Sequence, residues 1–385
     1  MQLRRYGILM GFALLAGCTQ MDEMVETIST DAVPIAFEAW EENGQWNGAT
    51  RAANGQTGPI TTQNYQLRHA GFGAFAATET GISPNLMYNQ NVTFTVLADG
   101  SDNGYWSYYP LKYWPNDQTI IDQLYFCAYA PYVDTPADDF KDDPANTGIV
   151  GMSSNDEATT PYIIYTRAKQ LDETVDLLWS YLSPTSKPSV KGPVSLKMYH
   201  ALARVAVALK LSAAPAADTK VLVRRITIIP TTLATSGKLD LTSHSTFTVD
   251  ENEVVVPTWS NLTMLSGEGT KGDRTILIDH DPATTPESYC DISNDIRLIP
   301  GLPYSWQPEG LNETDYQNAL TSESHQAYLY FIPQEAFTVT CTVAYTVFAS
   351  DGTQTPGNKT MTTAATLADP LRGNLTYHLN LTIEI

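Results

Sequence analysis

Leu375-Thr376-Tyr377-His378-Leu379-Asn380-Leu381-Thr382-Ile383-Glu384-Ile385 alternates without a break. Leu375, Tyr377, Leu379, Leu381, Ile383 and Ile385 fall on one face, and Thr376, His378, Asn380, Thr382 and Glu384 on the other. That is the period of two with which a β-strand presents successive side chains to opposite faces of a sheet. The register of such a strand is strongly specified, because a slip of one residue would turn its whole apolar set to water. The segment reads either as the last strand of its own sandwich or as a strand donated to a neighbouring molecule.

The same period recurs towards the other end, in Val33-Pro34-Ile35-Ala36-Phe37-Glu38-Ala39-Trp40, where Val33, Ile35, Phe37 and Ala39 share a face. This is the expected first strand. Residues 41–62 follow, rich in Gly, Asn and Thr, an exposed loop by composition. Its single basic residue is Arg51, in Ala49-Thr50-Arg51-Ala52-Ala53, and no other Lys or Arg lies between Glu23 and Arg68.

Further strands are expected at 73–76, 92–97 and 105–109, the last two joined as a hairpin through Asp99-Gly100-Ser101-Asp102-Asn103-Gly104. Leu124-Tyr125-Phe126-Cys127-Ala128-Tyr129-Ala130 reads as a buried strand closed by Pro131, and an acidic loop is expected from 133 to about 155. Ser183-Pro184-Thr185-Ser186-Lys187-Pro188 reads as a linker, since two prolines in a polar run resist both helix and sheet. Beyond it, strands are expected where Val205, Val207, Leu209 and Leu211 alternate and at 221–229, 254–256, 275–278, 327–332 and 338–348. Residues 199–208 read as a bend or single helical turn leading into a strand. The reading is therefore all-β, with two tandem β-sandwich domains at 32–182 and 193–385.

Composition agrees. Charged residues make up 17% of the chain, against about 25% in globular proteins at large, and 21 Tyr accompany many Thr, as suits pleated, half-buried surfaces. The net charge of -20 repels nucleic acid and anionic lipid, so no nucleic-acid partner is expected.

At the N-terminus, Arg4 and Arg5 precede an apolar run, 7–16, too short to span a bilayer. It ends in Leu15-Ala16-Gly17-Cys18, which resembles a bacterial lipobox. Residues 1–17 are thus expected to be a lipoprotein signal peptide, Cys18 the lipidated first residue of the mature chain, and 18–31 a tether. Cys127, Cys290 and Cys341 show no disulfide or metal spacing, and Cys127 and Cys341 sit in strand-like runs as small hydrophobes.

Chemistry-bearing motifs of the common kinds do not occur: there is no G-x-S-x-G, G-x-x-x-x-G-K-[ST], H-E-x-x-H or G-x-G-x-x-G. Asp279-His280-Asp281 reads as a solvated turn, and Asp138, Asp139, Asp142 and Asp143 as a solvated acidic loop without calcium-loop spacing. No cofactor and no enzymatic activity are expected. Tyr105-Trp106-Ser107-Tyr108-Tyr109-Pro110-Leu111-Lys112-Tyr113-Trp114-Pro115 concentrates aromatic rings that suit core packing, with sugar stacking or partner anchoring as the other uses.

Several of these segments together carry a family likeness: the lipobox, residues 33–40, Thr50-Arg51-Ala52, Met87-Tyr88-Asn89-Gln90, Trp106-Ser107-Tyr108-Tyr109-Pro110 with Lys112-Tyr113-Trp114-Pro115, Phe126-Cys127-Ala128-Tyr129-Ala130-Pro131 and His200-Ala201-Leu202-Ala203-Arg204. Over nearly its whole length the chain resembles the fimbrillin (FimA/Mfa-like) lipoproteins of Bacteroidetes. Gln20-Met21-Asp22-Glu23 resembles the acidic tag that exports their lipoproteins to the outer face of the outer membrane. The resemblance implies tandem sandwiches of transthyretin-like topology, a place on the cell outer membrane in a fimbrium, adhesion, and assembly with other fimbrial subunits by strand exchange. It also implies an arginine-specific surface protease cutting between Arg51 and Ala52, removal of strand 33–40, and donation of Leu375, Tyr377, Leu379, Leu381, Ile383 and Ile385 to a neighbour's groove. A surface glycan-binding lipoprotein using the aromatic run is the alternative, and a secreted hydrolase a third.

Overall fold

The computed structural model describes residues 33–41, 45–46, 67, 70–79, 84–97, 104–115, 123–134, 148–154, 160–168, 171, 174–187, 192–213, 219–249, 251–265, 275–279, 290–291, 297–299, 329–348, 359–367 and 370–384. Among the described residues every regular element is a β-strand, as expected.

Seven strands form the first sheet, in the order β1 (Phe37–Glu41), β10 (Val194–His200), β9 (Leu178–Ser186), β6 (Gln123–Ala130), β3 (Phe72–Ala77), β4 (Met87–Val96) and β5 (Gly104–Ser107). Its neighbours run antiparallel except β1, which lies parallel to β10. Both faces of its centre are buried, which explains why β3 and β6 read as nearly continuous apolar runs rather than clean alternations. One face carries Phe72, Ala74, Ala76, Leu124, Phe126 and Leu196, together with Ile35 and Phe37. The other carries Phe75, Cys127, Tyr129 and Trp179 into a core shared with Ile163, Tyr165, Leu239 and Leu241. These last residues belong to a four-stranded sheet ordered β14 (Asn252–Met264), β13 (Ala234–Val249), β8 (Tyr162–Thr166) and β7 (Gly148–Met152).

Two sheets enclose the remaining core. In one, β11 (Ala203–Leu211) pairs with β17 (Arg297–Ile299), β18 (Leu329–Phe331) and β21 (Leu375–Ile383), and β21 with β2 (Gln45–Trp46). In the other, the order is β15 (Thr275–Asp279), β12 (Lys220–Thr232), β19 (Phe337–Phe348) and β20 (Lys359–Leu367), with β16 (Cys290–Asp291) also on β12. β19 shows why its sequence makes a half-buried strand. Phe337, Val339, Cys341, Val343 and Tyr345 point inward against β11, β12 and β21, while Thr338, Thr340 and Thr342 alternate outward. Val249, Val254 and Val256 of the long β13–β14 hairpin join this core, so one hairpin serves two cores.

The structure departs from the sequence reading at the linker, in the acidic loop and at one strand the sequence did not mark. The 183–186 part of the expected linker is the second half of β9, where Ser183, Pro184, Thr185 and Ser186 pair with β6. Pro184 is accommodated although it lacks a main-chain donor. β10 returns to the same sheet, so the chain passes from the first sheet to the β11 sheet at Ala201 and Leu202, which form the expected bend of the 199–208 segment and lead into β11. β7 arises inside the expected acidic loop, because Ile149 and Val150 bury against β8. β13 went unrecognised because it is rich in Ser and Thr and only Ala234, Gly237, Leu239, Leu241 and, at its far end, Val249 are buried along it. Cys127 and Cys341 are buried free thiols, the second pushed up to about 12 by burial.

Because β10 pairs with both β1 and β9, and β13 with β8, a fragment of residues 32–182 lacks strands that its own sheets use. The expected outcome is no cooperative thermal transition in near-UV circular dichroism for that fragment, against a sharp one for the whole chain. A cooperative transition would show that the first sheet stands without β10.

Candidate functional site: the seam around the first strand

Residues 33–41 hold two partners in succession. Over the first half, the Trp114 N–H donates to the Val33 carbonyl and the Ile35 N–H to the Lys112 carbonyl, both at 2.9 Å. Over the second, the Val194 N–H donates to the Ala36 carbonyl at 2.7 Å, and β1 continues along β10 in parallel register from Phe37↔Val194 to Glu41↔Met198. The segment thus fills a seam between residues 112–114 and β10.

Alternation aims its apolar side chains into the first core, where Ile35, Phe37 and Ala39 are buried and Val33 packs at the margin. The Phe37 ring meets Phe72, Tyr108 and Phe126 with centroids 5.6–5.9 Å apart. Full burial of side chains such as Ile35 and Phe37 contributes about 1.5–3 kcal/mol each. The Tyr108 hydroxyl donates to the Ile35 carbonyl at 2.7 Å. Burial pushes that hydroxyl up to about 12, so it stays protonated and remains a donor.

The aromatic run is divided by the fold. Trp106 packs on Phe72 and Phe94, Tyr108 on Phe37, and Trp114 on Phe126, whereas Tyr105 and Tyr109 face solvent.

The C-terminal strand lies in its own chain here. β21 runs parallel to β11 from Arg204↔Thr376 to Leu211↔Ile383, with Leu375, Tyr377, Leu379, Leu381 and Ile383 buried. Its far end is held by the Ser212 N–H on the Ile383 carbonyl (2.9 Å) and the Tyr345 hydroxyl on the Glu384 carbonyl (2.7 Å). Its root is the Gly373-Asn374 turn. A Cβ on Gly373 would lie 2.5 Å from the Ala201 carbonyl oxygen, so only glycine fits. Asn374, at φ 62°, accepts from the His200 N–H and donates from Nδ2 to the Val255 carbonyl. The first two residues of β21 also pair in parallel with β2, so the segment leaving β1 reaches the root of β21.

Sequence reasoning missed the buried polar chain at this joint. Asp176 Oδ2 lies 2.5 Å from His200 Nδ1, and Arg204 Nη1 lies 3.3 Å from His200 Nε2. A guanidinium only donates, so Nε2 accepts and the proton sits on Nδ1, facing the carboxylate. His200 and Arg204 come from the quoted His200-Ala201-Leu202-Ala203-Arg204 run. Asp176 had no sequence signal, since it lies 24 positions from its partner. Among the described residues no group of three or more His, Cys, Asp or Glu could hold a metal ion. Cys18, Arg51, Ala52 and Ile385 lie outside the described residues, as do the acidic 138–143 run and His280.

The profile of the fimbrillin-like family matches residues 50–384, and the chain belongs to that family. Among solved structures the chain is similar to a fimbrial protein from Bacteroides vulgatus, at 20% identity, with 91% of this chain and 95% of that chain covered and a TM-score of 0.56. Proteins assigned to cell adhesion from Bacteroides uniformis and Bacteroides ovatus align over 91% of this chain and 93% of theirs, at 14% and 12% identity and TM-scores of 0.38 and 0.40. At such identities the first of these likenesses speaks to the fold. No curated protein sequence matches.

The seam geometry sets an expected outcome. Phe37→Ala should lower the unfolding free energy of the uncut chain by about 3–5 kcal/mol, and Tyr108→Phe by about 1 kcal/mol. Glu38→Ala, on the outward side of β1, should change it by under about 0.5 kcal/mol. Urea denaturation with an unchanged slope checks all three.

Proposed function

We propose that this chain is a structural, non-catalytic subunit of a cell-surface fimbria, joined to its neighbour by strand exchange once its first strand has been cut free, and that the fibre supports adhesion. The observation that carries the reading is the seam. Residues 33–41 complete a sheet and a core, yet they are bonded on one side only by residues 112–114 and on the other by β10. Removing them would free the main-chain donors and acceptors of residues 112–114 and, further along, those of β10 beside an apolar slot, and such a slot recruits a strand. Family membership and the fold likeness to a fimbrial protein favour the same reading.

The cut is assigned to the Arg51-Ala52 bond, downstream of β1 and β2, by an arginine-specific surface protease. While the link is intact, Ile35, Phe37 and Ala39 occupy the slot at high effective concentration and an incoming strand cannot compete. After the cut, the segment is free to leave.

The incoming strand is assigned to Leu375, Tyr377, Leu379, Leu381, Ile383 and Ile385 of another subunit. In its own chain β21 already pairs in parallel with β11, and the slot is lined by β10, which also holds its occupant in parallel. The same main-chain orientation therefore serves both sites. Two tandem sandwiches of transthyretin-like topology and a lipid anchor at Cys18 in the outer membrane complete the proposal.

Arg51→Ala should resist arginine-specific cleavage and stay monomeric, while truncation after Leu381 should be cut normally but polymerise poorly. Size-exclusion chromatography before and after protease reads both; polymers from uncut Arg51→Ala would end the gating idea, and normal polymers from the truncated chain would end C-terminal donation. Cys18→Ser should move the protein out of the membrane fraction on ultracentrifugation, and unchanged partitioning would remove the anchor.

A further inference from the structure

Among the described residues seven large hydrophobic side chains are exposed, and five of them, Val96, Leu97, Tyr105, Tyr109 and Leu111, come from the β4–β5 hairpin and the segment after it. Tyr109 is 88% exposed, which no core-packing role explains. The loop that carries it is nevertheless held in place, because Gln90 Nε2 donates to the Tyr109 carbonyl at 3.1 Å. Beside it, Thr95 Oγ1 and Ser107 Oγ lie 3.4 Å apart across the hairpin. Tyr105 pairs with Thr95 and so shares the face of Thr95 and Ser107, while Val96, opposite Gly104, points to the other face. Exposed apolar side chains on a held surface mark an interaction site.

Two further observations name the occupant. First, the surface is continuous with the seam: Tyr108, between the exposed residues, bonds the Ile35 carbonyl, and Lys112, one residue past Leu111, accepts from the Ile35 N–H. Whatever molecule sends a strand into the slot is brought against Tyr109 and Leu111. Second, the segments that carry these side chains are almost free of charge in a chain of net charge -20. Residues 84–97 and 104–115 contain no Asp or Glu, and Lys112 is their one basic residue; Asp99 and Asp102 fall in the sequence between the two stretches. Two strongly acidic copies repel each other over most of their surfaces, and a charge-poor aromatic patch is where they meet at least electrostatic cost.

We infer that Tyr105, Tyr109 and Leu111 form the seat on which the body of a second copy of this chain rests when its strand enters the slot. The inference builds on the strand-exchange reading and adds a contact outside the slot. The strand supplies the persistent joint, and the seat supplies the encounter and the angle between successive subunits.

The test uses the full chain cut with an arginine-specific protease, unvaried and as Tyr109→Ser/Leu111→Ser, with Tyr105→Ser as a second variant. Both sets of substitutions lie on exposed positions, and unchanged thermal midpoints confirm folding. One arm measures binding of a synthetic peptide of residues 374–385 by fluorescence anisotropy, and the other measures polymer growth by light scattering. The expected result is peptide affinity within about two-fold of the unvaried chain but growth slowed about ten-fold, as for loss of a peripheral aromatic anchor. Unchanged growth in both variants overturns the seat while leaving strand exchange standing. So does binding of the unvaried chain to an array of neutral glycans that the variants lose while growing normally, which would make this face a receptor surface. If the unvaried cut chain neither binds the peptide nor grows, strand exchange itself falls and the seat with it.

Discussion

Main-chain pairing along residues 33–41 is the interaction on which the first half of this protein depends. Buried backbone donors and acceptors must be satisfied, and here a single short segment satisfies two different edges, residues 112–114 and β10, while its alternate side chains fill the core between them. The orientation of Tyr108, the inward turn of Trp114 and the division of the aromatic run into core and surface all follow from that filling. An element that is at once structurally complete and bonded along only one strand's length is suited to replacement, because an equivalent strand restores every main-chain bond it gives up.

The joint between the first sheet and the β11 sheet rests on a different principle. Charged groups cost free energy to bury unless each finds partners. Asp176, His200 and Arg204 meet this demand in a line beside the Ala201-Leu202 bend, and Asn374 ties the same bend to the start of β21. The C-terminal strand therefore springs from a rigid root, and its far end is held by two hydrogen bonds to main-chain carbonyls. Such an arrangement specifies where the strand begins and where it ends.

Much of this was legible in residues. Strict alternation located β21, β19 and the first strand, and turn chemistry located the β4–β5 hairpin, because period and turn type are local properties. The linker reading failed at Pro184 for a tertiary reason: β6 supplies enough pairing along β9 to absorb the missing donor. β13 was hidden because its burial depends on β8 and on the facing sheet, and its own composition is polar.

What the sequence determined by itself was the all-β class, the alternating strands towards the two ends of the chain, and the net charge of -20. Each follows from spacing and composition alone. Only the tertiary structure decided which edges those end strands occupy, which aromatic rings are core and which face solvent, and that Asp176, His200, Arg204 and Asn374 share one joint. The physical reason is that pairing partners and burial are set by residues far apart in the chain, as with the bond between His200 and Asn374 across 174 positions, and no local pattern encodes which distant edge a strand will meet.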